Sequence, residues 1–249
     1  MSITRRLFVC LLGSVCLASS AFAADKVYQV ASDAAYAPFE SLNAKQEVVG
    51  FDVDVLSAAA AKAGFKVKFH NTPWEGIFAT LAMGDRDIVA SAVTITPERK
   101  RSMDFSDPYF EAKQLIAVAA NSAIGKFADL KGKKVGVQTG TTGDEVVQKL
   151  LGKTNPNIKR FESTPLALQE LLAGGVDAVV ADNGVVVNFI THNKGSKLKT
   201  LDDPSFTKEY YGFAVKKGNA ALLARINRGL AVIKTDGTYD QIYKKYFGR

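Results

Sequence analysis

DIVASAVTITPERKRSMDFSDPYF, Asp87 to Phe110, is the stretch on which the reading of the fold turns. Its first seven residues, DIVASAV, form an apolar run of strand length that ends at Val93. The run feeds straight into Thr94, and Arg99 follows five residues later, across a turn that Pro97 helps to start. Arg99 carries a planar fork of N–H donors that fits a carboxylate through two parallel hydrogen bonds. Thr94, just past the strand end, adds a backbone N–H and a hydroxyl. A solvated arginine on a turn is the other reading of the same residues, because most charged side chains are exposed.

Working outward, short apolar runs alternate with amphipathic ones. Val27 to Ala31 reads as a strand, and Val53 to Ala63 as a helix closed by Gly64. Lys66 to Phe69 is a strand, and Trp74 to Met83 a helix closed by Gly84, before the strand from Asp87 to Val93. The rhythm restarts with a strand over Lys133 to Gln138, a helix over Thr141 to Leu151 and a strand over Ile158 to Phe161. A helix from Leu166 to Leu172 and a strand from Asp177 to Ala181 follow. A strand from Tyr211 to Val215 precedes two C-terminal helices, one ending near Asp236-Gly237 and one over Thr238 to Phe247. This strand–helix–strand order predicts an α/β fold of two similar units, each with a parallel sheet and crossover helices.

The ends and the composition bound the function. Arg5 and Arg6, an apolar core from Leu7 to Leu17 and the small-x-small site Ala21-Phe22-Ala23 read as an export leader, residues 1–23. The apolar core is too short for a comfortable membrane span. Ordinary secretion is favoured over the twin-arginine route that Thr4-Arg5-Arg6-Leu7-Phe8 resembles. Cys10 and Cys16 both lie in the leader, so the remaining chain has no thiol for a disulfide or a thiolate metal site. His70 and His192 stand far apart without ligand spacing, and neither a metal nor a cofactor is expected. Losing Arg5 and Arg6 lowers the formal charge by two from +7. The basic residues are interspersed with acids, and no basic helix with interleaved aromatics speaks for nucleic acid. Lys244 and Lys245 read as a solvated face.

The segment from Thr94 to Phe110, with SDAAYAPFE (Ser32 to Glu40) and GFDVDV (Gly50 to Val55) ahead of it, resembles the periplasmic polar amino-acid-binding proteins of ABC importers. These include glutamine-binding and lysine/arginine/ornithine- or histidine-binding proteins. The resemblance spans the whole chain after the leader. It implies the two-lobed type II periplasmic binding protein fold, with the ligand in a cleft between lobes. The chain then crosses twice, near Pro108 to Lys113 and Thr207 to Tyr211. Residues 24–110 and 210–249 fall to the first lobe and 111–209 to the second. Hinge closure around a ligand is the motion expected of such a protein.

On that resemblance, Arg99 meets the ligand's carboxylate, aided by Thr94 and by the loop Thr139 to Gly143, which points to Thr141 and Thr142. Taken alone, that loop is either an anion-holding helix N-terminus or a plain strand-to-helix turn; it lacks the Gly-Lys-Ser/Thr ending of a phosphate loop. Asp182 follows a strand, where α/β sheets bind ligands. It matches the ammonium-binding aspartate, although its position also suits a helix cap. The backbone of Ser91 and Ala92 reaches the same group. Tyr36 and Trp74 match the aromatic pair around the ligand's side chain, core packing being the other reading. Asp33 matches the position that meets the ligand's polar tip, and Glu75 is a possible second acid there or a solvent-facing residue. Gln138 stands where glutamine-binding relatives carry a lysine. Without that repelling cation, and with Asp33 present, the site favours a basic ligand, while glutamine stays open.

The leading expectation is therefore a monomeric capture protein in the periplasm, not an enzyme. It would bind an L-amino acid, with arginine, lysine, ornithine or histidine favoured, and deliver it to an inner-membrane permease. The competing class is a periplasmic cyclohexadienyl or arogenate dehydratase on the same scaffold. It needs a general acid in the cleft, for which Glu75 is the candidate.

Overall fold

Alternate residues of a strand face opposite sides of its sheet, and a strand buried on both sides reads as a continuous apolar run. The computed structural model, which describes residues 26–193 and 195–248, is built on such strands. The expected leader and both cysteines lie outside the described residues. The chain begins with β1 (Val27–Ser32), the short strands β2 (Ala35–Tyr36), β3 (Glu40–Leu42) and β4 (Val48–Val49), and helix α1 (Phe51–Lys62). It continues through β5 (Lys66–Asn71), α2 (Ile77–Met83), β6 (Ile88–Val89), β7 (Met103–Phe105) and β8 (Phe110–Ala112). A second series follows, with β9 (Gln114–Ala119), β10 (Val135–Gln138), α3 (Thr142–Leu151), β11 (Ile158–Phe161) and α4 (Thr164–Ala173). It ends in β12 (Ala178–Asp182), α5 (Asn183–His192) and β13 (Leu198–Leu201). The last elements are β14 (Glu209–Tyr211), β15 (Ala214–Lys216), α6 (Ala220–Thr235) and α7 (Thr238–Phe247).

Two five-stranded sheets result, ordered β5-β1-β6-β15-β7 and β11-β10-β12-β9-β13. Each packs apolar side chains on both faces. In β12, Ala178 and Val180 join the core with Val135, Val137 and Val147. Val179 and Ala181 join the opposite core with Leu168, Leu171 and Val186. The first sheet divides in the same way, with Val30 and Ile88 facing α1 and α6, and Ala31 and Val89 facing α2. Among the described residues, no helix is long and apolar enough to cross a membrane, and no cluster of three acidic, histidine or cysteine side chains could hold a metal ion.

Several expected elements differ. The sheets are mixed, not parallel: β1 pairs with β5 and β6 in parallel, whereas β15 runs antiparallel to β6 and β7. In the second sheet β9 runs antiparallel to β12 and β13. These added strands lie beside the places where the chain leaves one sheet for the other, so no crossover helix forces them parallel. The strand expected over Tyr211 to Val215 is two strands. Gly212 separates β14, which pairs with β8, from β15 in the first sheet. A Cβ at Gly212 would come within 2.8 Å of Ile95 Cδ1, so a larger residue in this turn would have to displace the Ile95 side chain. The strand from Asp87 to Val93 is regular only at Ile88 and Val89. Past it, Ala92 adopts a left-handed φ of 45°, with its N–H bonded to the buried Asp52 carboxylate at 2.7 Å. The helix expected to start at Trp74 starts at Ile77, after Gly76 with its left-handed φ of 87°.

Candidate functional site

The two sheets present the ends of their strands to one cavity. Its wall is made by Asp33, Tyr36, Trp74, Ser91, Ala92, Thr94 and Arg99 from one side, and Gln138, Thr141, Thr142 and Asp182 from the other. Asp33 follows β1, Ser91 follows β6, Gln138 ends β10 and Asp182 ends β12. All four therefore lie at carboxyl ends of parallel strands, where open α/β sheets hold ligands. The structure brings together the eleven residues named from the sequence. Glu75 is exposed and outside this wall. The general acid that the dehydratase reading asked of it is therefore not in the cleft.

Arg99 is buried and begins a short 3₁₀ turn, Arg99–Arg101. Its Nη1 donates to the Thr94 carbonyl at 2.9 Å and its Nη2 to the Gly140 carbonyl at 3.3 Å. These bonds fix the guanidinium plane and leave its other N–H groups for a ligand. The cation also lies 5.3 Å from the Trp74 ring centre and 5.4 Å from that of Phe78. Burial lowers its pKa, and Glu145, Asp182 and Glu209 pull it back up.

Asp182 occupies the residue before α5 but makes no side-chain cap bond. Its carboxylate is engaged elsewhere. Oδ2 accepts from the Tyr36 hydroxyl at 2.8 Å and the Tyr211 hydroxyl at 2.5 Å, and Oδ1 accepts from Gln114 Nε2 at 2.5 Å. Burial raises its pKa, against which these three donors and Arg99 act. Asp33 is likewise raised by burial and eased by Gln138 and by backbone N–H groups. Gln138 Nε2 donates to Asp33 Oδ2 at 3.3 Å, while Thr164 donates to Gln138 Oε1 at 3.0 Å and so sets which way the amide faces.

The threonine hydroxyls depart from expectation. Thr141 caps α3, accepting from the Asp144 N–H and donating to the Gln138 carbonyl at 2.8 Å. Thr94 and Thr142 both donate to Glu209 Oε2, at 2.9 and 2.8 Å. None of these three hydroxyl hydrogens points to a ligand carboxylate. Arg99 and backbone N–H groups such as that of Thr142, whose place in the first turn of α3 gives it no helical partner, are donors still free on this wall. Glu209, Gln114 and Tyr211 were not singled out from the sequence. Glu209 sits in a charged Lys-Glu-Tyr run that reads as solvated, and the pairing of β14 with β8 carries it behind the cavity wall.

Comparison with known proteins follows the same lines. The family described as bacterial extracellular solute-binding proteins, family 3, matches residues 28–249. A probable histidine-binding protein of Neisseria gonorrhoeae is 49% identical over 225 residues, covering 90% of this chain and 84% of its own. The ABC transporter arginine-binding protein 1 of Escherichia coli is 34% identical over 237 residues, covering 93% and 96%. The crystal structure of the arginine-, lysine-, histidine-binding protein ArtJ from Geobacillus stearothermophilus superimposes with a TM-score of 0.87 at 47% identity, over 90% of this chain and 96% of that one. Its two-lobed architecture is the architecture of this chain.

Proposed function

The chain belongs to the bacterial extracellular solute-binding proteins, family 3, and on that premise we propose that it captures a basic L-amino acid for an ABC importer. The observation that carries the reading is the charge of the cavity wall, which holds one cation, Arg99, and two acids, Asp33 and Asp182. A zwitterionic backbone uses one charge of each sign, its carboxylate on Arg99 and its ammonium on Asp182. Asp33 then remains for a cationic side chain, between the rings of Tyr36 and Trp74. The relatives named for histidine and for arginine, lysine and histidine support the same ligand class. Capture needs no bond-making chemistry. On this reading the protein works as a monomer in the periplasm after loss of its leader, and an inner-membrane permease receives the loaded form.

Calorimetric titration of the ligand-stripped protein with arginine, lysine, histidine, ornithine and glutamine tests this. Tight binding of a basic amino acid is expected, with Arg99→Ala and Asp182→Ala each weakening it by about 2–5 kcal/mol, the loss for one partner of a buried charge pair. Asp33→Asn should weaken a basic ligand more than glutamine. Glutamine as the one tight ligand would overturn the assignment of Asp33. Unchanged affinity in Arg99→Ala would overturn the site.

A further inference from the structure

The residue with the least obvious reason to be where it is is Glu209. It belongs to β14, one of the two strands that join the lobes, and its side chain turns into the protein instead of toward water. Three donors converge on its carboxylate: the Thr94 and Thr142 hydroxyls on Oε2, and Gln114 Nε2 on Oε1 at 3.3 Å. Thr94 and Thr142 line the cavity and Glu209 does not, so the carboxylate stands one layer behind the wall. Gln114 is held in turn by Asp182, which takes one of its two amide hydrogens and leaves the other between Glu209 and Thr142.

A hydroxyl has one hydrogen and two lone pairs, and an ionised carboxylate can only accept. With both hydrogens directed to Glu209, Thr94 and Thr142 have only lone pairs to offer elsewhere. One lone pair of Thr142 already accepts from Gln114 at 3.1 Å. We propose that Glu209 is a specificity-positioning residue: it turns the two threonine hydroxyls into acceptors for the ligand's α-ammonium and so makes the cleft reject acids that lack one. The proposal rests on the amino-acid-capture reading and deepens it. The ammonium has three hydrogens to satisfy, and Asp182, with three donors already on it, has little capacity to take them all. Two hydroxyl oxygens facing the same group supply the missing acceptors.

Glu209→Gln keeps size and shape but breaks this arrangement whichever way its amide faces. If the carbonyl keeps the threonines, its NH₂ opposes the pinned NH₂ of Gln114. If it turns, the NH₂ faces the threonines and their hydrogens swing away, toward the ligand. Glu209→Ala frees both hydroxyls outright. The test titrates wild type and both variants with paired probes: L-arginine with 5-guanidinopentanoate, L-lysine with 6-aminohexanoate, and L-histidine with imidazole-4-propionate. Each second probe lacks only the α-amino group. Both variants are expected to lose about 10- to 100-fold in affinity for the amino acid, the effect of an unsatisfied charged donor, with the des-amino partner unchanged or tighter. Parallel losses for both probes would overturn the proposal, since a general structural role moves both alike. So would unchanged discrimination, or failure of both variants to fold as judged by circular dichroism. Wild type that binds none of the three amino acids would instead overturn the capture reading, and this inference with it.

Discussion

Single residues beneath the cleft hold it in shape. Glu40 and Asp52 are both fully buried. Ser91 donates to Glu40 at 2.8 Å, while the Ala92 N–H and the Tyr109 hydroxyl, the latter at 2.6 Å, donate to Asp52. These bonds keep Ala92 in a backbone conformation that costs a non-glycine residue about 1–3 kcal/mol. Each carboxyl keeps one oxygen without a donor, Glu40 Oε2 and Asp52 Oδ1. A proton shared between the two carboxyls satisfies both. Burial pushes Asp52 up to about 7, and burial together with Asp52 pushes Glu40 well above its usual range. Both folded-state values exceed the unfolded ones, so the stabilisation is complete below about pH 4 and is lost as pH rises through about 7. Asp52→Asn can donate to Glu40 with its NH₂ and still accept from Ala92 and Tyr109. Its stability relative to wild type should therefore grow between about pH 4 and 7, by at most about 1.4 kcal/mol per pH unit for each carboxyl that stays protonated. Chemical denaturation of both proteins across that range measures it; parallel curves would mean that no proton is shared.

At the level of elements, the closest joint in the first lobe is between α1 and α6. Gly229 lies in the middle of α6, where glycine costs a helix about 1 kcal/mol relative to alanine. Here it is required by what it faces, because a Cβ at Gly229 would run into the Ala59 carbonyl, 2.6 Å from its carbon. Gly229→Ala should thus destabilise the protein by about 1–3 kcal/mol, overpacking outweighing propensity. An unfolding midpoint equal to or above wild type would show that α6 shifts freely. The same joint marks the limit of what the chain discloses by itself. The helix–strand rhythm was legible wherever a run was apolar and closed by glycine, as with α1 before Gly64 or α2 before Gly84. The residues of the cavity wall were legible mainly through the family resemblance, helped by the strand ends at Gln138 and Asp182. The short sheet β2–β3–β4 lies in segments with little alternation, and β9 pairs antiparallel with β13 from the far side of α3, α4 and α5, a pairing that no local strand–helix–strand rhythm announces. Ala90 to Val93 are as apolar as a strand, but two carboxylates distant in sequence pull them off the sheet. Glu209 was hidden for the same reason, since its partners Thr94 and Thr142 are 115 and 67 residues away.

At the scale of the molecule, the lobes meet through hydrogen bonds across the cleft. Tyr36 reaches Asp182, Gln138 reaches Asp33, and Arg99 reaches the Gly140 carbonyl. Among the described residues, only β8 and β14 carry the chain between the sheets, and they pair with one another as a narrow ladder from Phe110–Tyr211 to Ala112–Glu209. Aromatic packing anchors the base of that ladder to the first lobe: Phe110 stacks on Tyr211 at 5.5 Å and meets Phe39 edge-on at 4.9 Å. We propose that closure bends this two-stranded ladder while each five-stranded sheet moves as a body. The cross-cleft bonds are polar, and water replaces them when the lobes part, so each contributes at most about 1.5–3 kcal/mol, the range for a hydrogen bond to a charged group. A bound zwitterion that bridges Arg99 and Asp182 is what should decide the balance. In small-angle scattering, saturating arginine should bring the radius of gyration of the ligand-stripped protein down toward about 17 Å, the value for a compact chain of this length. Asp182→Ala should remain at the larger value under the same arginine concentration. An identical radius with and without arginine, in protein that binds it by calorimetry, would mean that capture proceeds without hinge closure.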